Sequence, residues 1–153
     1  MGYNYNDYED CCKAVKENGM NLYFVPDRLK IGSLCLDAVK QNALAIRYIS
    51  DTLMTYEMCL EAIKQNPSVI IDIPEKHKVK RICKEAVSRN GLLIKYIPEK
   101  MQTDDICIIA VKQNPKSLKY IKNTNIDICL EAIKRYGVAM KYNKNKKEIY
   151  LIV

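Results

Sequence analysis

Seven cysteines and one histidine are the residues of this 153-residue chain with the widest chemical repertoire. A thiolate is a nucleophile, a redox centre and a soft metal ligand, and an imidazole is a base or a ligand. Their spacing points to none of these. Cys11 and Cys12 are adjacent, while Cys35, Cys59, Cys83, Cys107 and Cys129 stand alone. No Cys-x-x-Cys pair occurs, and His77 has no partners that complete a ligand set or a catalytic dyad, so no metal site is expected. There is no Gly-rich phosphate loop and no nucleophile with a readable base. The chain is therefore expected to be no enzyme, with no catalytic residue and no cofactor.

The cysteines make sense as one position in a repeat. With Cys59 as position zero, "CLEAIKQN" returns as "CCKAVKEN" from Cys11, "CLDAVKQN" from Cys35, "CKEAVSRN" from Cys83, "CIIAVKQN" from Cys107 and "CLEAIKRY" from Cys129. Successive intervals are 24 residues, and the last is 22. Ala holds plus three and Val or Ile plus four in all six copies; Asn holds plus seven in five, with Tyr136 in the sixth. A period of this length over a whole chain is the signature of a repeat architecture.

Each copy reads as two helices. Met58, Cys59, Ala62 and Ile63 mark the apolar stripe of the first, in helical periodicity. Asp7, Thr55, Thr103 and Asn125 stand where N-caps belong, whereas Ile31 and Val79 break that rule. Acids follow in the first turn (Glu9, Glu57, Asp105, Asp127), as the helix dipole favours. The Asn at plus seven marks the turn and is placed to cap the next helix. The second helix is short and keeps Leu, Ile or Met at plus eleven, from Leu22 to Met140; Pro26, Pro74 and Pro98 are expected to stop it. A 24-residue unit cannot bury its apolar faces alone, so stacking is required. The expectation is an all-α fold: an α-solenoid of about six stacked helical hairpins plus a terminal helix. It forms one domain over 1–153, with repeats starting near 7, 31, 55, 79, 103 and 125 and a C-terminal half-repeat at 146–153, "EIYLIV" closing the chain.

The Ala-Val-Lys-x-Asn turn followed by "LLIKYI" (92–97) resembles the short, about 24-residue α-helical repeats of unknown function found in giant DNA viruses and some intracellular bacteria. The resemblance covers almost the whole chain. It implies an intracellular viral or effector-like protein and no reaction.

On this reading the ladder cysteines are core fillers. Equivalent atoms of stacked units lie about 9 Å apart, beyond the roughly 7 Å that a disulfide can bridge. Cys12, off the ladder, is the one expected to be partly exposed. Free thiols imply a reducing compartment, the cytoplasm or nucleus of a host cell. The first residues, "MGYNYNDYED", lack a secretory pattern, and no apolar run is long enough for a membrane span, so no membrane partner is expected.

Charge supplies the binding candidates. The formal net charge is +7. Lysines at plus five (Lys16, Lys40, Lys64, Lys112, Lys134) are expected to be neutralised locally where Asp37, Glu61 and Glu131 precede them by three. The basic-aromatic pairs Arg47-Tyr48, Lys95-Tyr96, Lys119-Tyr120 and Lys141-Tyr142 have no acid one turn earlier. "KHKVKRICK" crowds Lys76, Lys78, Lys80, Arg81 and Lys84 around a helix start, against the dipole. These nine cations are the candidate binding residues. The favoured function is a non-enzymatic scaffold for a protein partner, since stacked helices present extended surfaces. The alternative is a nucleic-acid-binding repeat protein using cations interleaved with aromatics.

Overall fold

The computed structural model describes the backbone of residues 2–136, 140–143 and 148–151, with side chains up to Lys134. Six α-helices stand at the expected phase among the described residues: α1 (Tyr8–Glu17), α2 (Gly32–Gln41), α3 (Tyr56–Gln65), α4 (Lys80–Arg89), α5 (Asp104–Gln113) and α6 (Ile126–Tyr136). The fold is an all-α helical repeat over this span. Asp7 accepts from the Asp10 N–H at 3.0 Å, Thr55 from Met58 at 3.3 Å and Asn125 from Ile128 at 3.0 Å, so three of the expected caps form. Thr103 does not cap α5, because its hydroxyl donates to the Asp105 carboxylate instead.

The plus-seven Asn does two jobs at once. Asn18, Asn42, Asn66 and Asn114 each donate a backbone N–H to the Ala carbonyl four residues earlier, closing the α-helix. Their side-chain oxygens, and that of Asn90, accept from the N–H two residues later at 2.9–3.1 Å, opening the next element. A turn of this kind is what short polar side chains with a local acceptor favour. That next element is a 3₁₀ helix and not an α-helix: Gly19–Phe24, Ala43–Tyr48, Pro67–Ile71, Gly91–Tyr96 and Pro115–Tyr120. At five or six residues they run past the three or four usual for the i→i+3 pattern, so they depend on packing to persist. Pro26, Pro74 and Pro98 end these elements as expected, but each also starts a single 3₁₀ turn: Asp27–Leu29, Glu75–His77 and Glu99–Met101.

The core is built from four columns. Cys and Ala of every α-helix are buried, as are Leu22, Ile46, Ile70, Ile94 and Leu118 at plus eleven. Val25, Ile49, Ile73, Ile97 and Ile121 at plus fourteen are buried too. At about 1.5–3 kcal/mol per buried branched side chain, these columns hold the 3₁₀ segments against the α-helices despite their poorer hydrogen bonds.

The chain divides into two compact units between Ala86 and Val87. In the first, α1, α2 and α3 pack in sequence, each against its own 3₁₀ helix. In the second, α5 packs on α6 and on the 3₁₀ helices Gly91–Tyr96 and Pro115–Tyr120.

A glutamine at plus six, not singled out from the sequence, ties neighbours together in both units. Gln41 accepts the Gly19 N–H at 2.5 Å and donates to the Glu17 carbonyl at 3.2 Å. Gln113 repeats this on Gly91 at 2.6 Å and Arg89 at 3.2 Å. Gln65 donates to the Val39 and Lys40 carbonyls at 2.9 and 3.1 Å. The glutamine thus satisfies carbonyls that the end of the preceding α-helix leaves without partners.

The end of the chain departs from expectation. Where a terminal helix was expected over 146–153, Glu148–Leu151 is strand β2, antiparallel to strand β1 (Met140–Asn143), with Met140 opposite Leu151 and Asn143 opposite Glu148. The plus-eleven Met140 accordingly lies in a strand. "EIYL" is rich in β-branched and aromatic residues, which favour an extended conformation where a strand partner is adjacent. Residues 144–147, part of the basic C-terminal stretch, lie outside the described residues.

Candidate interaction surfaces

The six ladder cysteines are free and buried, and Cys12 is half-exposed. Cys11, Cys83 and Cys107 donate their thiol hydrogens to carbonyls of the preceding loop (Tyr5, Lys78 and Gln102) at 3.5, 3.3 and 3.4 Å. Burial pushes the Cys59, Cys83 and Cys107 thiols up to about 11, and raises Cys11, Cys35 and Cys129. At pH 8 only about one thiol in a thousand at such a position is the reactive thiolate. Labelling the native protein with iodoacetamide at that pH is therefore expected to modify Cys12 alone. Mass-spectrometric mapping checks this, and rapid labelling of Cys59 or Cys83 would contradict the packing. Among the described residues no group of three His, Cys, Asp or Glu side chains is placed to hold a metal ion. No helix among them is long and apolar enough to cross a membrane.

The basic segment at the start of α4 is partly compensated. Lys76 pairs with Asp51 at 2.6 Å, and His77 Nε2 meets the other Asp51 oxygen at 2.9 Å. The Lys76 hydrogen bond, above all, holds the Asp51 carboxyl below its ordinary range. Lys78 is half-buried, and that burial lowers its pKa. Lys78, Lys80 and Lys84 each take part in a further interaction, so none of the three is free. Arg81 is exposed. Lys76 and His77 thus converge on a common partner, Asp51.

The plus-five lysines do not find the expected local acids. Glu131 faces Lys112 of α5 at 3.8 Å instead of Lys134, and Glu61 accepts from Gln65. The preceding helix takes up Glu131, and a residue one turn on in the same helix takes up Glu61.

The basic-aromatic pairs sit at plus twelve and plus thirteen, at the solvent side of the 3₁₀ helices. Plus twelve is exposed in every described copy: Tyr23, Arg47, Ile71, Lys95 and Lys119. Arg47 is neutralised, donating from Nε to Asp72 of the next repeat at 2.8 Å. Lys95 and Lys119 are different. The Lys95 ammonium lies 4.7 Å from the Tyr96 ring centre and 5.8 Å from that of Tyr120, and the Lys119 ammonium lies 4.6 Å from Tyr120. The Tyr96 hydroxyl raises the pKa of Lys95, and the hydrogen bond from Lys119 lowers that of Tyr120. Lys141 lies in β1, and its side chain is outside the described residues.

A surface the sequence did not announce lies on the first unit. Tyr23 and Phe24 are 62 % and 57 % exposed, on the Gly19–Phe24 helix. Their rings meet edge-on at 5.1 Å; Tyr48 adds to Tyr23 at 5.2 Å, Tyr5 to Phe24 at 5.5 Å, and Tyr3 to Tyr5 at 6.4 Å. A hydrogen bond with Glu17 pushes the Tyr3 phenol up to about 12 and ties the N-terminal segment to α1. The only sequence signal was that Tyr23 and Phe24 occupy the columns that hold Arg47 and Tyr48 one repeat later.

Recurrent α-helices joined by Asn-capped 3₁₀ helices define a tandem helical-repeat protein. The family model described as Domain of unknown function (DUF4116) matches residues 33–78 and 80–124, two tandem copies that together cover more than half of the chain. The chain belongs to this family. The first copy contains α2 and α3, the second α4 and α5, so each family unit holds two of the 24-residue repeats. No curated protein and no solved structure matches the chain.

Proposed function

We propose that the chain is a non-catalytic scaffold that binds a protein partner through the aromatic surface of its first unit, in a reducing intracellular compartment. The exposed run Tyr23–Phe24, continued by Tyr5 and Tyr48, carries this reading. Leaving two adjacent aromatics more than half in water gains the fold little, and clustered exposed aromatic surface marks interaction sites. Tyr and similar rings are the side chains that dominate binding energy once desolvated at the centre of an interface. The buried, unbridged ladder thiols support the compartment, since such cysteines persist in reducing surroundings.

The test is a peptide-display library panned against the full chain, with a Tyr23→Ala/Phe24→Ala variant as the counter-screen. Both side chains are exposed, so the variant is expected to melt within a few degrees of the parent. Enriched peptides are expected to share a motif and to lose at least about tenfold in affinity on the variant. Peptides that bind the variant as tightly as the parent would remove this surface from consideration.

A further inference from the structure

The two units differ sharply in charge. Residues 1–86 contain twelve Lys and Arg against twelve Asp and Glu, a net of zero, while residues 87–153 contain thirteen against six. The whole +7 of the chain therefore belongs to the second unit. Within it, no carboxylate among the described residues pairs with Lys95, Lys116, Lys119 or Lys122. Lys116 and Lys119 share the Pro115–Tyr120 helix, Lys122 follows it, and all four are exposed.

We propose that Lys95, Tyr96, Lys119 and Tyr120, flanked by Lys116 and Lys122, form a binding track for single-stranded nucleic acid. This is a second binding activity, separate from the aromatic surface of the first unit. Two observations favour a polyanion with unpaired bases. Cations and rings alternate along successive repeats, so that Lys95 reaches the rings of both Tyr96 and Tyr120. Proteins that hold single strands without reading their sequence combine a basic groove along the backbone with aromatic rings that accept base faces. The first unit supplies the contrast: at the same columns Arg47 is consumed by Asp72, and Ile71 replaces the cation in the repeat after it. A duplex hides its base faces and has no use for the tyrosines. An anionic vesicle calls for lysines alone.

Fluorescence anisotropy with a labelled thymidine 20-mer tests the proposal on the full chain, alongside a duplex of equal length and vesicles containing phosphatidylserine. The 20-mer is expected to bind more tightly than the duplex. Its log affinity should fall with log salt at a slope of about −3, roughly −0.7 for each of four phosphates. Lys95→Ala/Lys119→Ala should halve that slope and weaken binding at least tenfold. Tyr120→Ala should weaken it about tenfold at an unchanged slope, and Tyr120→Phe, which keeps the ring and its packing, should restore it. Arg47→Ala should change nothing. The proposal is overturned if the lysine pair can be removed without loss, if the duplex is bound as well as the single strand, or if only the vesicles bind.

Discussion

Ala62→Asp is expected to abolish the cooperative thermal transition of the first unit. Ala62 is fully buried in the middle of α3, at the plus-three position that holds Ala in all six repeats. The helix is packed on α2 on one side and on the 3₁₀ helices Ala43–Tyr48 and Pro67–Ile71 on the other. A carboxylate there has neither volume nor partner. An unpaired buried charge costs several kcal/mol even when it escapes by protonation, against a total stability of about 5–15 kcal/mol for a domain. Because repeat stability is a sum of intrinsic and nearest-neighbour terms, the loss spreads to α2 as well. Ala62→Gly is the control, with an expected loss of only about 1 kcal/mol. Circular dichroism melts of the two variants separate the cases. An Asp variant that melts like the parent would show that this face is not buried.

Gly91→Ala is expected to destabilise the second unit by about 1–3 kcal/mol. A Cβ at Gly91 would stand 2.2 Å from the Ala110 carbonyl oxygen and 3.0 Å from its carbon, both backbone atoms of α5. The obstacle is space alone. Relief requires α5 to move away, which stretches the 2.6 Å bond from the Gly91 N–H to Gln113. Ala43 shows that the repeat has a wider setting. It occupies the equivalent position, buried, and the facing Gln65 donates to the Val39 and Lys40 carbonyls across the junction. That precedent keeps the expected cost below that of a simple clash. Urea denaturation followed by fluorescence of the tyrosines checks it, and Gly91→Val should cost more. Equal stability of Gly91→Ala and the parent would mean that the close approach to Ala110 is not made.

Much of this fold was legible because a small set of side chains does the same job in every repeat. The Cys, Ala and branched positions reveal the buried face, and the Asn at plus seven reveals the turn, because its short side chain closes one helix and opens another. Whether the second element is α or 3₁₀ was not legible, since plus eleven and plus fourteen are buried by either geometry. The pairing of Arg47 was missed for a different reason. A search one turn along its own helix finds no acid, whereas Asp72 lies 25 residues on in the neighbouring repeat. The same holds for Glu131 and Lys112. In a stacked array, equivalent faces of adjacent repeats are nearer than they are in sequence, so part of the charge balance is set between repeats. Thr103 failed as a cap because Asp105 offered its hydroxyl a stronger, charged acceptor. The joint exposure of Tyr23 and Phe24 required the structure, as an aromatic at plus twelve, where most later repeats carry a cation, does not reveal from sequence whether it packs inward.

The clamp between plus-six glutamine and the residue after the Asn has a bearing on how such a chain can grow. Gly19 and Gly91 are answered in the following repeat by Gln41 and Gln113. Pro67 and Pro115, which have no N–H to offer a glutamine, are followed one repeat later by Arg89 and Arg135. The heritable module is therefore the junction, running from one Asn turn to the end of the next α-helix, and not the 24-residue repeat cut at its Cys. A crossover inside a junction would leave glycine facing arginine, or proline facing glutamine. One between junctions would carry the matched pair along, so lengthening or shortening by recombination is constrained to particular breakpoints.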